Sequence, residues 1–381
     1  MGPALIYITI SCLIIWRSAH GFEIASDFLG RRLPLGIKGA TLNAIASSMP
    51  EFLTTIFFLF YLRDAEGFSG GLGVTSGSAL FNLLIIPAMV VLVIFSMRKG
   101  KSIVLNKKVL MREGAVLLIS QIVFVKILFR GELLAIHGLI LVLIYLAYLG
   151  WLYSISRRKK IADPGFDTPK PRIPRSTGIK ILSIDITHLV LNGKEITRRR
   201  AWLLLGFSTL VMSFGTWLLV YATDRFGEVT GIPLIFVAVV LSAVATSVPD
   251  TIISIKDARK GNYDDAVSNA LGSNIFDIAF ALGLPILLFN LFYEETIILN
   301  PDALAFTKEV WVFLMMATFL ALAIMVSGKT FNRFKAFLLL SIYILFLLFV
   351  GTQIDKDWQG IGQPIGNFLN GVANWIGDFL H

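Results

Sequence analysis

Two pairs of short segments carry the same pattern of hydroxyl, amide and carboxyl side chains. Residues 41–51 read TLNAIASSMPE, and residues 240–250 read VLSAVATSVPD, at an offset of 199. Residues 77–82 read GSALFN, and residues 272–277 read GSNIFD, at an offset of 195. A repeat of this kind must be recognised before a fold is assigned, because it predicts two structurally equivalent halves.

The side chains in these segments are oxygen ligands for hard cations. Calcium takes six to eight oxygens, including carboxylates, and sodium is bound by hydroxyls and by carbonyls of broken helices. The segments contain no thiol or imidazole that would favour a softer metal. The candidate ligands are Glu51, Asp250, Asp277, Asn82, Ser47, Ser48, Ser78, Thr246, Ser247 and Ser273, together with Asn43 and Asn274, which could equally bridge helices.

Each repeat also places a proline directly before a carboxylate. Pro50 precedes Glu51, and Pro249 precedes Asp250. Because proline has no amide hydrogen, we expect two broken helices that free main-chain carbonyls beside the acids. A carboxylate inside a membrane costs roughly 2.5–3.5 kcal/mol on insertion scales unless a cation or a proton balances it. Two acids can be balanced by one divalent ion or by monovalent ions instead, which predicts cation exchange.

The composition indicates that these segments lie in a membrane. The chain of 381 residues is 56% hydrophobic and 15% charged, with a mean hydropathy of +0.76. Soluble proteins carry about 45–50% apolar and about 25% charged residues, so a soluble globule is excluded. Cys12 is the only cysteine, which excludes a disulfide scaffold. The net charge of +9 does not indicate nucleic acid binding, because the basic residues lie at the ends of apolar runs.

We predict an all-α polytopic membrane protein, since about 20 apolar residues span a bilayer and backbone in lipid must pair within its own segment. The ten predicted transmembrane helices are 3–20, 35–62, 71–97, 109–129, 132–155, 201–223, 231–256, 265–292, 304–327 and 334–352. The expected proline breaks fall in helices 2 and 7. Five helices separate the two copies, and an odd number reverses their direction in the membrane. Two inverted five-helix repeats are typical of secondary transporters, whose substrate site lies between the repeats.

The distribution of basic residues predicts the orientation of the chain. Connections after odd-numbered helices hold 27 of the 34 Lys and Arg residues, which places them in the cytoplasm and both termini outside. The chain then divides into a first repeat at 1–156, a basic cytoplasmic linker at 157–200, a second repeat at 201–352 and an external tail at 353–381. Apolar residues of the tail recur every three or four positions, which predicts an amphipathic helix on the outer membrane surface. Glu113 lies near the cytoplasmic end of helix 4, where we expect it to be solvated.

At these motifs the chain resembles the calcium/cation antiporter superfamily, the sodium/calcium exchangers. The first alpha-repeat of that family is similar to Ala44-x-x-Ser-Ser-x-Pro-Glu51 with Gly77-Ser-x-x-Phe-Asn82. The second is similar to Ala243-x-x-Thr-Ser-x-Pro-Asp250 with Asn269-x-x-Gly-Ser-Asn-Ile-Phe-Asp277. The resemblance covers both repeats and the ten-helix layout. Val74 and Ala79 depart from it, because the family usually has Asn at these positions.

The resemblance implies a role for each candidate residue. Glu51 and Asp250 would be the central calcium ligands, aided by the carbonyls of Ser47 and Thr246. The sodium sites would be lined by Ser48, Ser78, Ser247 and Ser273 with the carbonyls of Ala44 and Ala243, and the centre would be flanked by Asn82 and Asp277. The pair of aspartates is similar to the potassium-dependent branch, although prokaryotic members share it without potassium dependence. Helices 1 and 6 would slide against the other eight.

These observations favour an antiporter that exchanges calcium for sodium by alternating access. Coupling to potassium or protons, transport of another cation, and a cation channel lined by acids stay open. An intramembrane aspartyl protease is disfavoured because its Gly-x-Gly-Asp signature is absent, so we expect neither an enzyme nor a cofactor. We expect inorganic cations and the lipid bilayer as partners, in a plasma membrane or, if the source is bacterial, an inner membrane. The sequence is compatible with a monomer and does not indicate an oligomer.

Overall fold

Helices make up most of the computed structural model, which describes residues 1–31, 42, 44–62, 65–97, 100, 102–156, 183–299, 301–354 and 359–380. Within those ranges nine helices are long and apolar enough to cross a membrane. They are α1 (Gly2–Leu29), α2 (Ala44–Leu62), α3 (Ala65–Ser96), α5 (Ala135–Ser156), α7 (Arg198–Thr230), α8 (Leu234–Lys260), α9 (Tyr263–Tyr293), α10 (Pro301–Val326) and α11 (Arg333–Ile354). The other helices are α4 (Lys107–Phe129), α6 (Ile186–Leu191) and α12 (Gln359–Leu380). The chain is therefore a mainly helical, polytopic membrane protein.

The nine apolar helices differ from the ten predicted spans at α4. This helix matches the predicted span 109–129 and has 23 residues, which is long enough to cross a bilayer. It also carries Arg112, Glu113 and Lys126, which reduce its apolar character. Glu113 is fully buried, and its carboxylate accepts hydrogen bonds from Arg112 Nη2 and, at 2.6 Å, from the Tyr148 hydroxyl of α5. The expectation that Glu113 is solvated is wrong, because α5 packs over it.

The two proline positions fold differently. In α2 the helix continues through Pro50 and ends in a π-helical turn at Phe58–Leu62. α8 contains a π-helical turn at Ala238–Ser242 and is interrupted at Ser247, so Pro249 lies in the first turn of its last segment. The predicted break is thus absent from α2, where a membrane helix surrounded by neighbours tolerates the missing amide of proline.

A further π-helical turn lies within α9. It spans Asp277–Ala281 and separates the helical segments Tyr263–Phe276 and Gly283–Tyr293. Turns of this type insert an extra residue into a helix and are frequent at functional sites. Here the turn begins at one of the three candidate acids.

α1 and α7 pack along each other and form a pair distinct from the main core. The main hydrophobic core draws its buried residues from α2–α5 and α8–α12, and it includes no described residue of α1 or α7. Small clusters attach the pair to the core, with Ile15 and Leu219 against Ala245 of α8 and Met212 near Ala46 of α2. The molecule therefore consists of a two-helix unit resting on a larger helical core.

Two short antiparallel ribbons connect the two halves of the core. β1 (Ser102–Ile103) pairs with β4 (Phe331–Asn332), and β2 (Glu132–Leu133) pairs with β3 (Ile297–Ile298). β1 and β3 follow α3 and α9, which carry equivalent motifs, whereas β2 and β4 follow α4 and α10. β1 is therefore the repeat counterpart of β3, and β2 that of β4. The repeat relates one ribbon to the other, as expected of two equivalent halves.

The C-terminal helix α12 packs against α10 and α11. Leu369 and Ala373 are buried in the main core, and Asn370 Nδ2 donates a hydrogen bond to the Glu309 carboxylate of α10. Phe368, by contrast, is exposed. Of the apolar residues predicted to face the membrane surface, Ile365 and Val372 pack against the main core, whereas Phe368 and Trp375 are exposed.

Candidate cation-binding site

The polar residues of both repeats meet where α2, α3, α8 and α9 pack together. α3 and α8 approach closely because Gly77 has no side chain, and a Cβ there would lie 2.1 Å from the main-chain oxygen of Val239. The fully buried polar residues of these helices include Ser47, Ser48, Glu51, Ser78, Asn82, Thr246, Ser247, Asp250, Ser273, Asn274 and Asp277. Helix packing thus removes from solvent every predicted ligand side chain that the structure describes. Asn43 lies outside the described residues.

Glu51 of the first repeat is held by a serine of the same repeat. Ser78 Oγ donates a hydrogen bond to Glu51 Oε1 at 3.1 Å and lies 2.9 Å from Ser247 Oγ of the second repeat. The Thr246 hydroxyl lies beside the same carboxylate. Oε2 of Glu51 has no hydrogen-bond donor in the described part of the chain. One oxygen of this buried acid is therefore left uncompensated by those residues.

Asp250 of the second repeat receives more donors than Glu51. Its Oδ1 accepts hydrogen bonds from Ser273 Oγ at 2.7 Å and from Asn269 Nδ2 at 3.3 Å, and its Oδ2 accepts one from Asn82 Nδ2 at 3.0 Å. The bond from Ser273 is the repeat counterpart of the serine bond to Glu51. The repeat therefore appears in the hydrogen bonding as well as in the sequence.

Hydrogen bonds that cross between the repeats join the two acids into one network. Asn82 of α3 donates to Asp250 of α8, and the same amide nitrogen lies 3.5 Å from Ser78 Oγ. Ser78 in turn donates to Glu51. Glu51 and Asp250 therefore border a common polar interior, although they come from different halves of the chain.

Asp277 begins the π-helical turn of α9 and has fewer donors than the other two acids. Neither of its carboxylate oxygens has a hydrogen-bond donor among the residues that the structure describes. The Ser48 hydroxyl lies beside it, outside hydrogen-bonding geometry. Asp277 also interacts electrostatically with Glu51 and Asp250. No lysine or arginine within the described ranges forms an ion pair with these three acids, so they repel one another.

Several other buried oxygens on these helices lack donors. In the described ranges they are Ser48 Oγ, Thr75 Oγ1, Asn82 Oδ1, Ser254 Oγ, Asn269 Oδ1 and Asn274 Oδ1. Buried oxygens without partners are rare in folded proteins and call for an explanation such as an ion or a water molecule. Carboxylate, hydroxyl and amide oxygens together suit a hard cation.

The carbonyls of Ala44 and Ala243 make the same contact in the two repeats. Ala44 O accepts a hydrogen bond from Ser47 Oγ at 3.2 Å, and Ala243 O accepts one from Thr246 Oγ1 at 3.1 Å. Ser47 Oγ also lies 3.2 Å from Ser273 Oγ across the repeats. Ala243 O also accepts the main-chain hydrogen bond of Ser247 N at 3.1 Å, so a cation at this carbonyl would have to displace or share one of these two donors.

Of the two asparagines with alternative roles, Asn274 bridges helices. Its Nδ2 donates to the main-chain oxygen of Ala79 in α3 at 2.8 Å. Asn43 lies outside the described residues. No group of three His, Cys, Asp or Glu side chains in the described ranges converges as a metal cluster. Any ligand set at this crossing is therefore mixed, with hydroxyl, amide and carbonyl oxygens beside the carboxylates.

One contributor was not among the residues predicted as ligands. Asn269 lies four residues before Ser273, one helical turn away, so both reach Asp250 from one face of α9. That spacing is the signal from which it could have been identified. Its counterpart in the first repeat is Val74, which has no side-chain donor. Glu51 and Asp250 therefore have unequal surroundings despite the repeat.

Comparison with known proteins decides the family. The profile of the sodium/calcium exchanger protein family matches residues 3–154 and 200–352. The chain belongs to the sodium/calcium exchanger family. The resemblance to calcium/cation antiporters is thus confirmed. The family is one of membrane transporters rather than a class of enzymes, and its members carry inorganic cations.

Relatives of known sequence extend this result. Inner membrane protein YrbG of Escherichia coli (strain K12) is 26% identical over 323 residues, which cover 82% of this chain and 86% of that protein. Sodium/potassium/calcium exchanger 2 of Gallus gallus is 37% identical over 151 residues, 39% of this chain and only 23% of that protein. Sodium/potassium/calcium exchanger 5 of Homo sapiens is 26% identical over 336 residues, 69% of this chain and 64% of that protein.

Solved structures share the fold. The crystal structure of the H⁺/Ca²⁺ exchanger CAX matches with a TM-score of 0.71 at 14% identity and covers 99% of this chain and 91% of that chain. The sodium-calcium exchanger NCX_Mj matches with a TM-score of 0.55 at 18% identity and covers 90% of this chain and 97% of that chain. At these identities the likeness concerns the arrangement of helices.

Proposed function

We propose that the protein is a secondary active antiporter that exchanges calcium for sodium at a carboxylate site in the middle of the membrane. One observation carries the proposal: Glu51 and Asp250, from opposite repeats, border one buried hydrogen-bond network. Within the described chain neither acid pairs with a lysine or arginine, so cations or protons must balance them. A site loaded with either set of cations can be carried across the membrane, whereas an unloaded, doubly charged site is costly to move. This difference couples the two fluxes.

For the ligands we propose the roles that the family resemblance implies. Glu51 and Asp250 bind calcium centrally, with help from the carbonyls of Ser47 and Thr246. The sodium sites are lined by Ser48, Ser78, Ser247 and Ser273 with the carbonyls of Ala44 and Ala243, and the centre is flanked by Asn82 and Asp277. Asn269 orients Asp250 through its hydrogen bond to Oδ1. We assign Asn274 to helix bridging, in keeping with its bond to α3.

Alternating access in this proposal is a movement of α1 and α7 against the core. Two features support it: the pair stays out of the main core and contacts α2 and α8 through small clusters. A crevice between α1 and α8 reaches Pro249, next to Asp250, and is lined by the ion pair of Glu23 with Lys256 at 3.1 Å. Because this ion pair joins the two parts, a sliding motion would break it and widen the crevice.

The proposal includes a specific membrane topology. α4 also crosses the membrane, which brings the number of transmembrane helices from nine to ten. The halves 1–156 and 201–352 are inverted repeats of five helices each. Both termini and the tail 353–381 lie outside, and the basic linker 157–200 lies in the cytoplasm. The two ribbons support this inversion. β1 and β3 follow equivalent helices of the two repeats but belong to different ribbons, so that one ribbon lies at each end of the core. A plasma membrane, or an inner membrane in bacteria, is the location that fits.

Potassium and protons are the alternative coupling ions. Potassium is favoured by the relatives named sodium/potassium/calcium exchangers, one of which is 37% identical in its matched part. Protons can balance the same acids, since Asp277 interacts electrostatically with Glu51 and Asp250 and none of the three has a basic partner among the described residues. A cation channel would use the same acids without coupling one flux to another, and it is the weaker alternative.

Ion flux in proteoliposomes tests the proposal. Vesicles loaded with sodium and diluted into sodium-free buffer with radioactive calcium should take up calcium, and parallel vesicles with potassium or proton gradients identify the coupling ion. Glu51→Gln removes one central charge from the site, so uptake should fall by at least tenfold.

Glu228→Gln is the matched control. This glutamate is 53% exposed on α7, pairs with Arg225 and takes no part in the buried network, so calcium uptake by this variant should equal that of the wild type. Both variants should elute as monodisperse protein. Calcium uptake at the wild-type rate in Glu51→Gln, or uptake that no cation gradient affects, would contradict the proposal.

A further inference from the structure

A polar pocket lies at the start of α11, on elements that do not contribute to the cation site. It has a volume of about 350 Å³ and is lined by Ser102, Thr330, Asn332, Arg333 and Phe334. Ser102 and Asn332 are paired across the ribbon formed by β1 and β4. One water needs about 10–15 Å³ of such space, so the pocket is many times larger than a water site and has room for a polar headgroup. We call it the basic pocket, because its charged side chain is an arginine.

The position of the arginine is fixed by an aromatic ring. The Arg333 guanidinium carbon lies 3.7 Å from the centre of the Phe95 ring at the end of α3. A stacked guanidinium keeps its five N–H donors in the plane of the fork, where they can bind a phosphate with two parallel hydrogen bonds. The packing against Phe95 therefore holds the donor group in place before any ligand arrives.

The positive charges around the basic pocket have no carboxylate partner in the described part of the chain. Lys335 Nζ is held by the main-chain oxygens of Ser327 and Thr330, and it lies close enough to Lys107 for the two cations to repel each other. Among the described residues, Arg333, Lys335 and Lys107 form no ion pair with a carboxylate. An anion in the basic pocket would relieve this repulsion.

The surface next to the basic pocket is apolar and exposed. Phe334 is 69% exposed and Phe337 is 55% exposed, and Leu338 follows Phe334 by one helical turn. These side chains lie on the outer face of α11, which continues into the transmembrane part of that helix. The basic pocket therefore lies where the polar connections meet the surface that contacts lipid, and a free anion would make no use of the apolar part.

We propose that the basic pocket binds the phosphate group of an anionic phospholipid, whose acyl chains lie along Phe334 and Phe337. Arg333 supplies the charged hydrogen bonds, and Ser102, Thr330 and Asn332 supply neutral ones to the headgroup. Basic pockets between helices at the membrane boundary are a known type of binding site for anionic headgroups. The bound lipid links α3, α11 and the ribbon, all of which belong to the core rather than to the pair of α1 and α7.

Lipid binding by the full-length protein in detergent tests this inference. Native mass spectrometry with added phosphatidylglycerol should show one tightly bound lipid on the wild type, and phosphatidylcholine should bind at least tenfold more weakly. Arg333→Gln should weaken phosphatidylglycerol binding about tenfold, which corresponds to about 1.4 kcal/mol for the charged hydrogen bonds that it loses. Arg333→Lys keeps the charge without the fork and should fall between the two.

The control variant is Lys329→Gln, which removes one positive charge from the same connection without touching the basic pocket. It should bind phosphatidylglycerol like the wild type. Thermal unfolding of the wild type gives a second readout, because a bound lipid raises the melting temperature, and phosphatidylglycerol should raise it more than phosphatidylcholine. Equal binding by Arg333→Gln and Lys329→Gln, equal effects of the two lipids, or displacement of the lipid by millimolar inorganic phosphate would overturn the inference.

Discussion

At the level of single residues, the two central acids have the same chemistry but different partners. Asp250 accepts hydrogen bonds from Ser273, Asn269 and Asn82, whereas Glu51 accepts one from Ser78. A hydrogen bond to a charged group contributes about 1.5–3 kcal/mol. Asp250 is therefore the more firmly oriented carboxylate, and in the proposed exchange Glu51 would be freer to change its position when one cation replaces another.

This asymmetry predicts the effect of truncating Asn269. Asn269→Ala removes one donor from Asp250 and leaves its Oδ1 with a single hydrogen bond from Ser273, so calcium affinity should fall about tenfold, or about 1.4 kcal/mol. The calcium concentration that gives half-maximal uptake measures this change.

Val74→Ala is the control for that prediction, since it shortens the side chain at the equivalent position of the first repeat, where no donor exists. Its half-maximal calcium concentration should stay within about twofold of the wild type. If both alanine variants lose affinity to the same extent, the loss reflects packing, and the role assigned to Asn269 is wrong.

At the level of helices, the site depends on how closely α3 approaches α8. At position 77, the Cβ of any residue other than glycine would lie only 2.1 Å from the main-chain oxygen of Val239. The obstacle is backbone rather than a flexible side chain, so the helices themselves would have to move apart. Because Ser78 and Asn82 reach across this contact to the second repeat, a small separation would also disrupt the network.

Gly77→Ala should therefore reduce both stability and transport. Forcing a methyl group into this contact costs about 1–3 kcal/mol or more, as over-packing of a core does. The melting temperature of the purified protein should fall by several degrees, and calcium uptake should be lost.

Gly150→Ala makes the same substitution on α5 in open surroundings, with no heavy atom within 4 Å of the added carbon. In a helix it should be neutral or slightly stabilising, since alanine favours the helix over glycine. A melting temperature for Gly77→Ala equal to that of Gly150→Ala would show that the helices can separate without cost.

At the level of the whole molecule, three buried acids tie stability to the proposed cation binding. Within the described residues Asp277 has no hydrogen-bond donor and is repelled by the other two carboxylates. A ligand that binds only the folded state stabilises it by about 2.7 kcal/mol at a hundred times its dissociation constant. Removing the cations should therefore destabilise the protein.

The prediction concerns Asp277→Asn in the presence and absence of calcium. A chelator should lower the melting temperature of the wild type, because the acids then lose the cations that balance them and must either take up protons or repel each other. Asp277→Asn removes one of these charges, so in chelator it should melt at a higher temperature than the wild type and gain less from added calcium. Glu228→Gln should behave like the wild type, and a wild type that does not respond to the chelator would refute the link.

Much of this architecture could be read from local patterns. Apolar runs predicted the spanning helices, and the offsets of 199 and 195 predicted that Glu51 and Asp250 belong to equivalent halves. Their motifs also predicted the sodium/calcium exchanger family, which the family match confirms. These features depend on residues that are near each other in the chain, because hydrophobicity and helical spacing act over a few turns.

Other features depend on contacts between distant segments and became evident only in three dimensions. The burial of Glu113 depends on Tyr148 of another helix, the continuity of α2 through Pro50 depends on its neighbours, and the division of the tail depends on where α12 meets the core. The pairing of α1 with α7 joins segments that lie about half the chain apart. A linear pattern shows which side chains are suited to burial, but the partner that covers each one is selected by shape and hydrogen bonding across the folded molecule.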